Sequence, residues 1–229
     1  MDANIKFEKS KIIVDVIPNE VYNEKLIEVV KQLSYTYQNI CYITINTVYK
    51  VLRDNLLKEG IDLKKFFFID GITNMSRQEP ENVENCIFVD APNSLTEISH
   101  HVTRLLNLHK FDCFLFDSLS TLLIYDTSPA ATQFAHFVIE NFRQYKCTAI
   151  FTALESDIES QLINDIGLFA DEIHARNKKF NEKIAEGKMQ KLEKELAALE
   201  QGYKTKFISE ESYQKESGRI KIELQKLKK

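Results

Sequence analysis

Six short runs in the first 152 residues are apolar at nearly every position, and this pattern leaves few folds open. They are Ile12–Ile17, Ile40–Ile45, Phe66–Asp70, Cys86–Asp90, Cys113–Asp117 and Thr148–Thr152, with a shorter candidate at Glu172–His174. A strand with one wet face alternates apolar and polar residues, whereas a strand apolar throughout is buried on both faces, as in a parallel sheet covered by helices. The segments between the runs carry helical spacing instead. Leu26, Ile27, Val30 and Leu33 mark the first helix, and Val48, Val51, Leu52 and Leu56 the second, which Gly60 stops as a C′ residue. A Ser94-x-x-Glu97 capping box opens a third helix, which buries Leu95, Ile98, Val102, Leu105 and Leu106. Ser128 opens a fourth, with Pro129 at its first position and Phe134, Phe137, Val138 and Phe142 presented inward. Ile158, Leu162, Ile163 and Ile166 mark a fifth. Strand and helix in alternation predict an α/β fold with a doubly wound, mostly parallel sheet over residues 1–176.

After Arg176 strand formers give way to Lys, Glu, Gln, Leu and Ala. Met189, Leu192, Leu196, Leu199 and Tyr203 follow a 3-4-3-4 spacing, a coiled-coil seam. Ser209-Glu210-Glu211 restarts a second helix with Tyr213, Ile220, Leu224 and Leu227 on one face. Two such helices bury their seams by folding on each other or on another subunit. Residues 177–229 are therefore expected to form a helical coiled-coil or hairpin tail that makes a homo-oligomer, the alternative being a poorly ordered extension. The stretch from Leu192 to Leu227, with Gly202 and Phe207-Ile208-Ser209-Glu210-Glu211-Ser212-Tyr213, also resembles short C-terminal helical modules of prokaryotic proteins. That resemblance implies oligomerisation or partner docking.

Charge separates the two parts. Residues 1–176 carry 16 Lys and Arg against 25 Asp and Glu, a net of −9, while 177–229 carry 14 against 9, a net of +5. An acidic body argues against nucleic acid as a partner, because phosphate contacts dominate that affinity. No run approaches the ~20 apolar residues of a membrane helix, and Met1–Lys6 lacks the basic start and apolar core of a signal peptide, so a cytoplasmic location is expected. Cys41, Cys86, Cys113 and Cys147 form no C-x-x-C pair and read as buried free thiols, and the five histidines lack metal-ligand spacing, so no metal site is expected.

Phe114-Leu115-Phe116-Asp117-Ser118-Leu119 places an acid and a hydroxyl at the carboxyl end of a strand, where open α/β sheets bind ligands. Here the chain resembles the RecA/KaiC-like P-loop ATPase superfamily, in particular archaeal KaiC-type domains, whose Walker B strand ends in Asp-Ser-Leu or a close variant. The order of the other elements agrees over roughly residues 5 to 176. The resemblance implies a nucleotide site with magnesium held near Asp117 and Ser118, a Gly-rich phosphate loop after the first strand, and an oligomer such as a hexameric ring.

The sequence departs from that pattern twice. There is no glycine before Gly60, and the first strand runs into Ile17-Pro18-Asn19-Glu20-Val21-Tyr22-Asn23-Glu24. By register the family's lysine falls at Asn23 and its magnesium-binding hydroxyl at Glu24, with Lys25 the nearest cation. Tyr22 and its neighbours decide whether a nucleotide-sized cleft is open or filled. The second departure is at the family's catalytic glutamate pair, where this chain has Asn46-Thr47. Each of these functions contributes on the order of 10² to 10⁴ in rate, so ATP turnover by the usual mechanism is not expected. Asp117 then reads as a strand-end acid, as do Asp15, Asp70 and Asp90, with Asp117 and Ser118 the remnant of a Walker B pair. The expectation is a non-catalytic, pseudo-ATPase scaffold or regulatory protein with no cofactor, partnered by another protein or an active paralogue. The alternatives are a nucleotide-binding ATPase with an atypical phosphate loop and a DNA-recombination paralogue.

Overall fold

Strand β1 (Ile12–Ile17) runs through a short 3₁₀ turn at Asn19–Val21 into helix α1 (Tyr22–Thr36), and this unit sets the pattern for most of the chain. The computed structural model describes residues 9–76, 83–126 and 129–227. In order follow β2 (Ile40–Thr44), α2 (Tyr49–Lys58), β3 (Phe66–Asp70), β4 (Cys86–Phe88), α3 (Leu95–Asn107), β5 (Cys113–Asp117), α4 (Leu119–Tyr125), α5 (Pro129–Gln144), β6 (Thr148–Leu154), α6 (Gln161–Phe169) and β7 (Glu172–His174). The seven strands form one sheet in the order β4-β3-β2-β5-β6-β1-β7, parallel at every neighbouring pair.

Two apolar layers cover this sheet. On one face Ile13, Tyr42, Leu115 and Ile150 pack with Leu26, Val30 and Leu33 of α1 and with Leu52 and Leu56 of α2. On the other, the Phe114 ring lies 4.7 Å from that of Phe142, and Phe116 5.9 Å from Phe134, both partners from α5. Helices α3 and α6 flank α5 in the same layer. The chain winds from β1 through β2 and β3 to β4 in one direction, then returns through β5 and β6 to β7. Its direction therefore reverses between β2 and β5, which makes the crevice beyond their carboxyl ends the topological switch point.

Several local expectations hold and others are corrected. Gly60 has φ +74° just beyond α2, the left-handed C′ position that a side chain resists. Ser94 stands at the N-cap of α3 but makes no capping bond, and Glu97 accepts from the Asp90 N–H at 3.0 Å, so the capping box is not formed. Val51 and Phe137 are about half exposed rather than turned inward. Ile45, Val89 and Asp90 lie beyond the ends of their strands, β6 extends to Leu154, and Ile158 precedes α6. Pro129 opens α5 as expected, while Ser128 lies outside the described residues. An additional helix, α4, begins just after Asp117.

Contacts divide the chain into two compact units, Met1–Arg176 and Asn177–Lys229. The second consists of α7 (Lys178–Lys204) and α8 (Glu210–Leu227). The rings of Tyr203 and Tyr213 stack 4.6 Å apart and 8° from parallel, and Glu195 acts on Arg219, so the two helices run antiparallel as a hairpin. At the turn Gly202 faces Ile208, whose Cδ1 would stand 2.6 Å from an added Cβ. Ile220 and Leu224 are buried, whereas Met189, Leu192, Leu196 and Leu199 are half-buried. No described helix is long and apolar enough to cross a membrane.

Candidate functional site

Asp117 ends β5 beside the switch point and is 1% exposed. Strand alternation puts it on the same face as Cys113 and Leu115, toward α1. From β2, Tyr42 donates its hydroxyl to Asp117 Oδ2 at 2.9 Å. From the first turn of α1, Tyr22 donates to Asp117 Oδ1 at 2.6 Å. The Tyr22 oxygen also lies 2.8 Å from Thr152 Oγ1 on β6, and Thr152 reaches the Phe116 carbonyl at 3.2 Å. With the Tyr22 proton committed to Asp117, the one Thr152 hydroxyl proton is shared between two acceptors, the Tyr22 oxygen and the Phe116 carbonyl. A carboxylate, two tyrosines and a threonine from four elements thus form one buried network.

Burial pushes the Asp117 carboxyl above its ordinary range, against the opposing effect of hydrogen bonds from Tyr22, Tyr42 and Asn46. Burial, reinforced by the Asp117 charge, also holds the Tyr22 and Tyr42 hydroxyls well above theirs, so neither is a proton donor in the acid–base sense near neutrality. Ser118 borders this network, its side chain hydrogen-bonding with Tyr22 against the upward push of burial. Its Oγ accepts from Thr121 N at 3.1 Å and caps α4, and the peptide joining it to Asp117 is cis.

The residues that register places at the phosphate loop are not brought to Asp117. Asn23 and Glu24 are exposed on the outer side of the first turn of α1, and half-buried Lys25 pairs with Glu28 at 2.8 Å. It is Tyr22, one position earlier, that turns inward. The preceding turn is occupied by its own contacts. Val21 N donates to the Pro18 carbonyl at 3.2 Å, and the Asn19 amide exchanges hydrogen bonds with Ser156, at 2.9 and 3.2 Å.

The other strand-end acids differ among themselves. Asp70 is fully buried and accepts from the backbone N–H groups of Tyr49 at 2.6 Å, Ile72 at 2.6 Å and Thr73 at 2.9 Å, and from the Thr73 hydroxyl. Asp15, beside His174 in the β1–β7 register, is pushed up to about 6 by burial, with His174 and Lys25 pulling the other way. Asp90 is exposed. All four cysteines are buried free thiols held above their usual pKa by burial. Among the described residues no group of three His, Cys, Asp or Glu is placed to hold a metal ion.

The sequence missed Tyr42, Thr152 and the inward direction of Tyr22. A signal existed for the first: a tyrosine in a strand buried on both faces needs a partner for its hydroxyl, and an acid ending the neighbouring strand is one.

A solved structure of a KaiC-like protein from the hyperthermophilic archaeon Pyrococcus horikoshii OT3 superposes with a TM-score of 0.53 at 12% identity, over 73% of this chain and 71% of that one. The fold is RecA/KaiC-like. The RadB recombinase structure also aligns, with a TM-score of 0.49 at 10% identity over 73% of this chain and 74% of that one. No protein-family model matches the sequence, and no curated protein does.

Proposed function

We propose that this RecA/KaiC-like chain is a non-catalytic protein, a pseudo-ATPase that works as a regulatory or scaffold subunit through contacts with another protein or an active paralogue. The observation that carries the reading is the use of Asp117. Both of its oxygens accept tyrosine hydroxyls, and Tyr22 brings its ring into the space between β1, β5 and β6. Magnesium requires oxygens at about 2.0 to 2.1 Å in octahedral array and keeps several waters, a shell that does not fit between Asp117 and hydroxyl groups already 2.6 and 2.9 Å away. A phosphate cradle needs backbone N–H groups turned toward the anion. The glycine-free turn from Pro18 to Val21 instead bonds to itself and to Ser156. The residues at hand therefore do not fit ATP with magnesium.

Titration calorimetry with Mg-ATP and Mg-ADP tests this. No heat of binding is expected up to millimolar nucleotide. A Kd tighter than about 100 µM, or −5.5 kcal/mol, that is lost in Asp117→Asn would overturn it and restore the ATPase reading.

The hairpin supplies the partner surface in this proposal. It carries the +5 charge, and Phe207, at its turn, is 92% exposed. Such a ring at a helical tip suits burial in a partner's pocket. Light scattering on the full chain and on a chain lacking residues 177–229 checks the homo-oligomer form of the idea. The truncated chain is expected to have a smaller subunit number, and an unchanged number would remove self-association from the tail's role.

A further inference from the structure

At the opposite edge of the sheet from Asp117, a polar cavity of about 230 Å³ opens between the amino ends of β1, β5 and β6. Ligands of open α/β sheets gather at the carboxyl edge, so nothing in the fold requires a cavity here. Its floor is buried and hydrogen-bonded. Tyr37, Cys147 and Thr148 are buried there; Thr148 Oγ1 accepts from Tyr37 Oη at 3.0 Å and from Ser10 N at 2.9 Å. Phe111 and Tyr145 supply aromatic walls, and His109 lies with its ring centroid 5.4 Å from that of Tyr145.

The rim carries Lys9, Lys146 and His109 against one acid, Asp112. Among the described residues no carboxylate stands within ion-pair distance of Lys9, Lys146 or His109. Asp112 is turned to Asn39, whose backbone and side-chain N–H groups reach its Oδ2 at 3.3 and 3.5 Å. The ordinary use of such cations, capping a helix carboxyl end, is already met by backbone. Helices α3 and α5 end here, and the carbonyls of Leu105, Leu106, Phe142 and Arg143 accept from the N–H groups of Leu108, His109, Cys147 and Lys146. His109 at φ +50° and Lys146 at φ +54° take the left-handed positions that end those helices, which fixes where their side chains leave the backbone. Uncommitted ammonium groups over a polar cavity with aromatic walls recognise a ring that carries a compact negative group.

We propose that this amino-edge cavity binds a small aromatic phosphomonoester of mononucleotide size, its phosphate between Lys9 and Lys146 and its ring against Phe111 and Tyr145. The volume lies just under the ~300 to 1,000 Å³ of drug-sized pockets, which suits a monophosphate and excludes a nucleoside triphosphate. The site is independent of the chemistry at Asp117.

Adenosine monophosphate serves as the probe, titrated without magnesium into the isotope-labelled full chain at low salt and followed by amide NMR. The expected result is a saturable shift of the Ser10, Cys147 and Thr148 amides. Affinity should fall at least tenfold in the double variant Lys9→Glu with Lys146→Glu and remain unchanged in Asp117→Asn. Both lysines are exposed, so the double variant keeps the fold, and its unperturbed spectrum verifies that. Shifts that map to Tyr22 and Asn46 instead, affinity that survives the charge reversal, or no saturable shift at millimolar probe would each overturn the proposal.

Discussion

Asp70→Ala is expected to lower the unfolding free energy by about 3 to 5 kcal/mol, the range for breaking a buried, multiply bonded charge. Helix α2 explains why one side chain matters so much. Its first residue is Tyr49, and its N-cap is Val48, which has no side-chain oxygen to accept an orphan N–H. Asp70 supplies that acceptor from the end of β3, bonding Tyr49 N with Oδ2 while Oδ1 takes the N–H groups of Ile72 and Thr73. Alanine strands three backbone donors, two of them in hydrogen bonds that are buried, and releases both the start of α2 and the turn after β3. Asp70→Asn keeps one carbonyl oxygen but turns an NH₂ toward donors, so a loss of about 1 to 3 kcal/mol is expected. Urea unfolding followed by circular dichroism measures both. A loss under about 1 kcal/mol for the alanine variant would mean that water takes the place of the carboxylate and that Asp70 does not hold the two segments together.

The roles of the strand-end acids mark the limit of what the sequence shows. The strands were legible because burial on both faces leaves a local trace, a nearly unbroken apolar run, and β1, β3 and β5 stand where those runs place them. The hairpin was legible because apolar residues recur at helical spacing on both sides of the Lys206 to Ser209 break, and the structure forms both helices rather than the poorly ordered extension that was the alternative. Helix α4 was not, since Leu119-Ser120-Thr121-Leu122-Leu123-Ile124 continues the apolar run of β5. The switch is made by Ser118 capping the next turn. Val51 and Phe137 fit the i, i+3, i+4 pattern yet lie on the flank of their helices, where the sheet does not reach. For Asp70 and Asp117 the partners decide the role, and those come from 21 positions away for Tyr49 and 95 for Tyr22. No local pattern encodes such a meeting. The absent glycines could be read directly from the chain, whereas the tyrosine that turns into the site could be placed only by folding α1 against the sheet.

Asp117→Ala and Asp117→Asn are expected to part company, and the difference separates a structural acid from a ligand-holding one. Alanine removes the acceptor from two buried hydroxyls at once; each stranded donor costs about 1 to 3 kcal/mol, less what is recovered by no longer burying a carboxylate, for a net loss of about 2 to 4 kcal/mol. Asparagine keeps an oxygen for one tyrosine and offers an N–H to the oxygen of the other, so its loss should stay below about 1 kcal/mol. The pH dependence follows from the direction of the shift. Burial raises the folded-state carboxyl above its unfolded value of 3.8, so the protein holds this proton more tightly when folded. The stability that this proton contributes is complete below 3.8 and is lost as pH rises through the folded-state pKa. Asp15, pushed up to about 6, has the same sign, with its loss falling between about pH 4 and 6. Asp117→Asn removes the first contribution and leaves the second. Relative to the wild type it should therefore be more stable at pH 8 than at pH 4, and Tyr22→Phe should weaken the protein at both. Thermal unfolding of the three variants across that range measures the differences. If Asp117→Ala instead keeps wild-type stability and loses a nucleotide-dependent rise in Tm, Asp117 serves a ligand and not the two tyrosines.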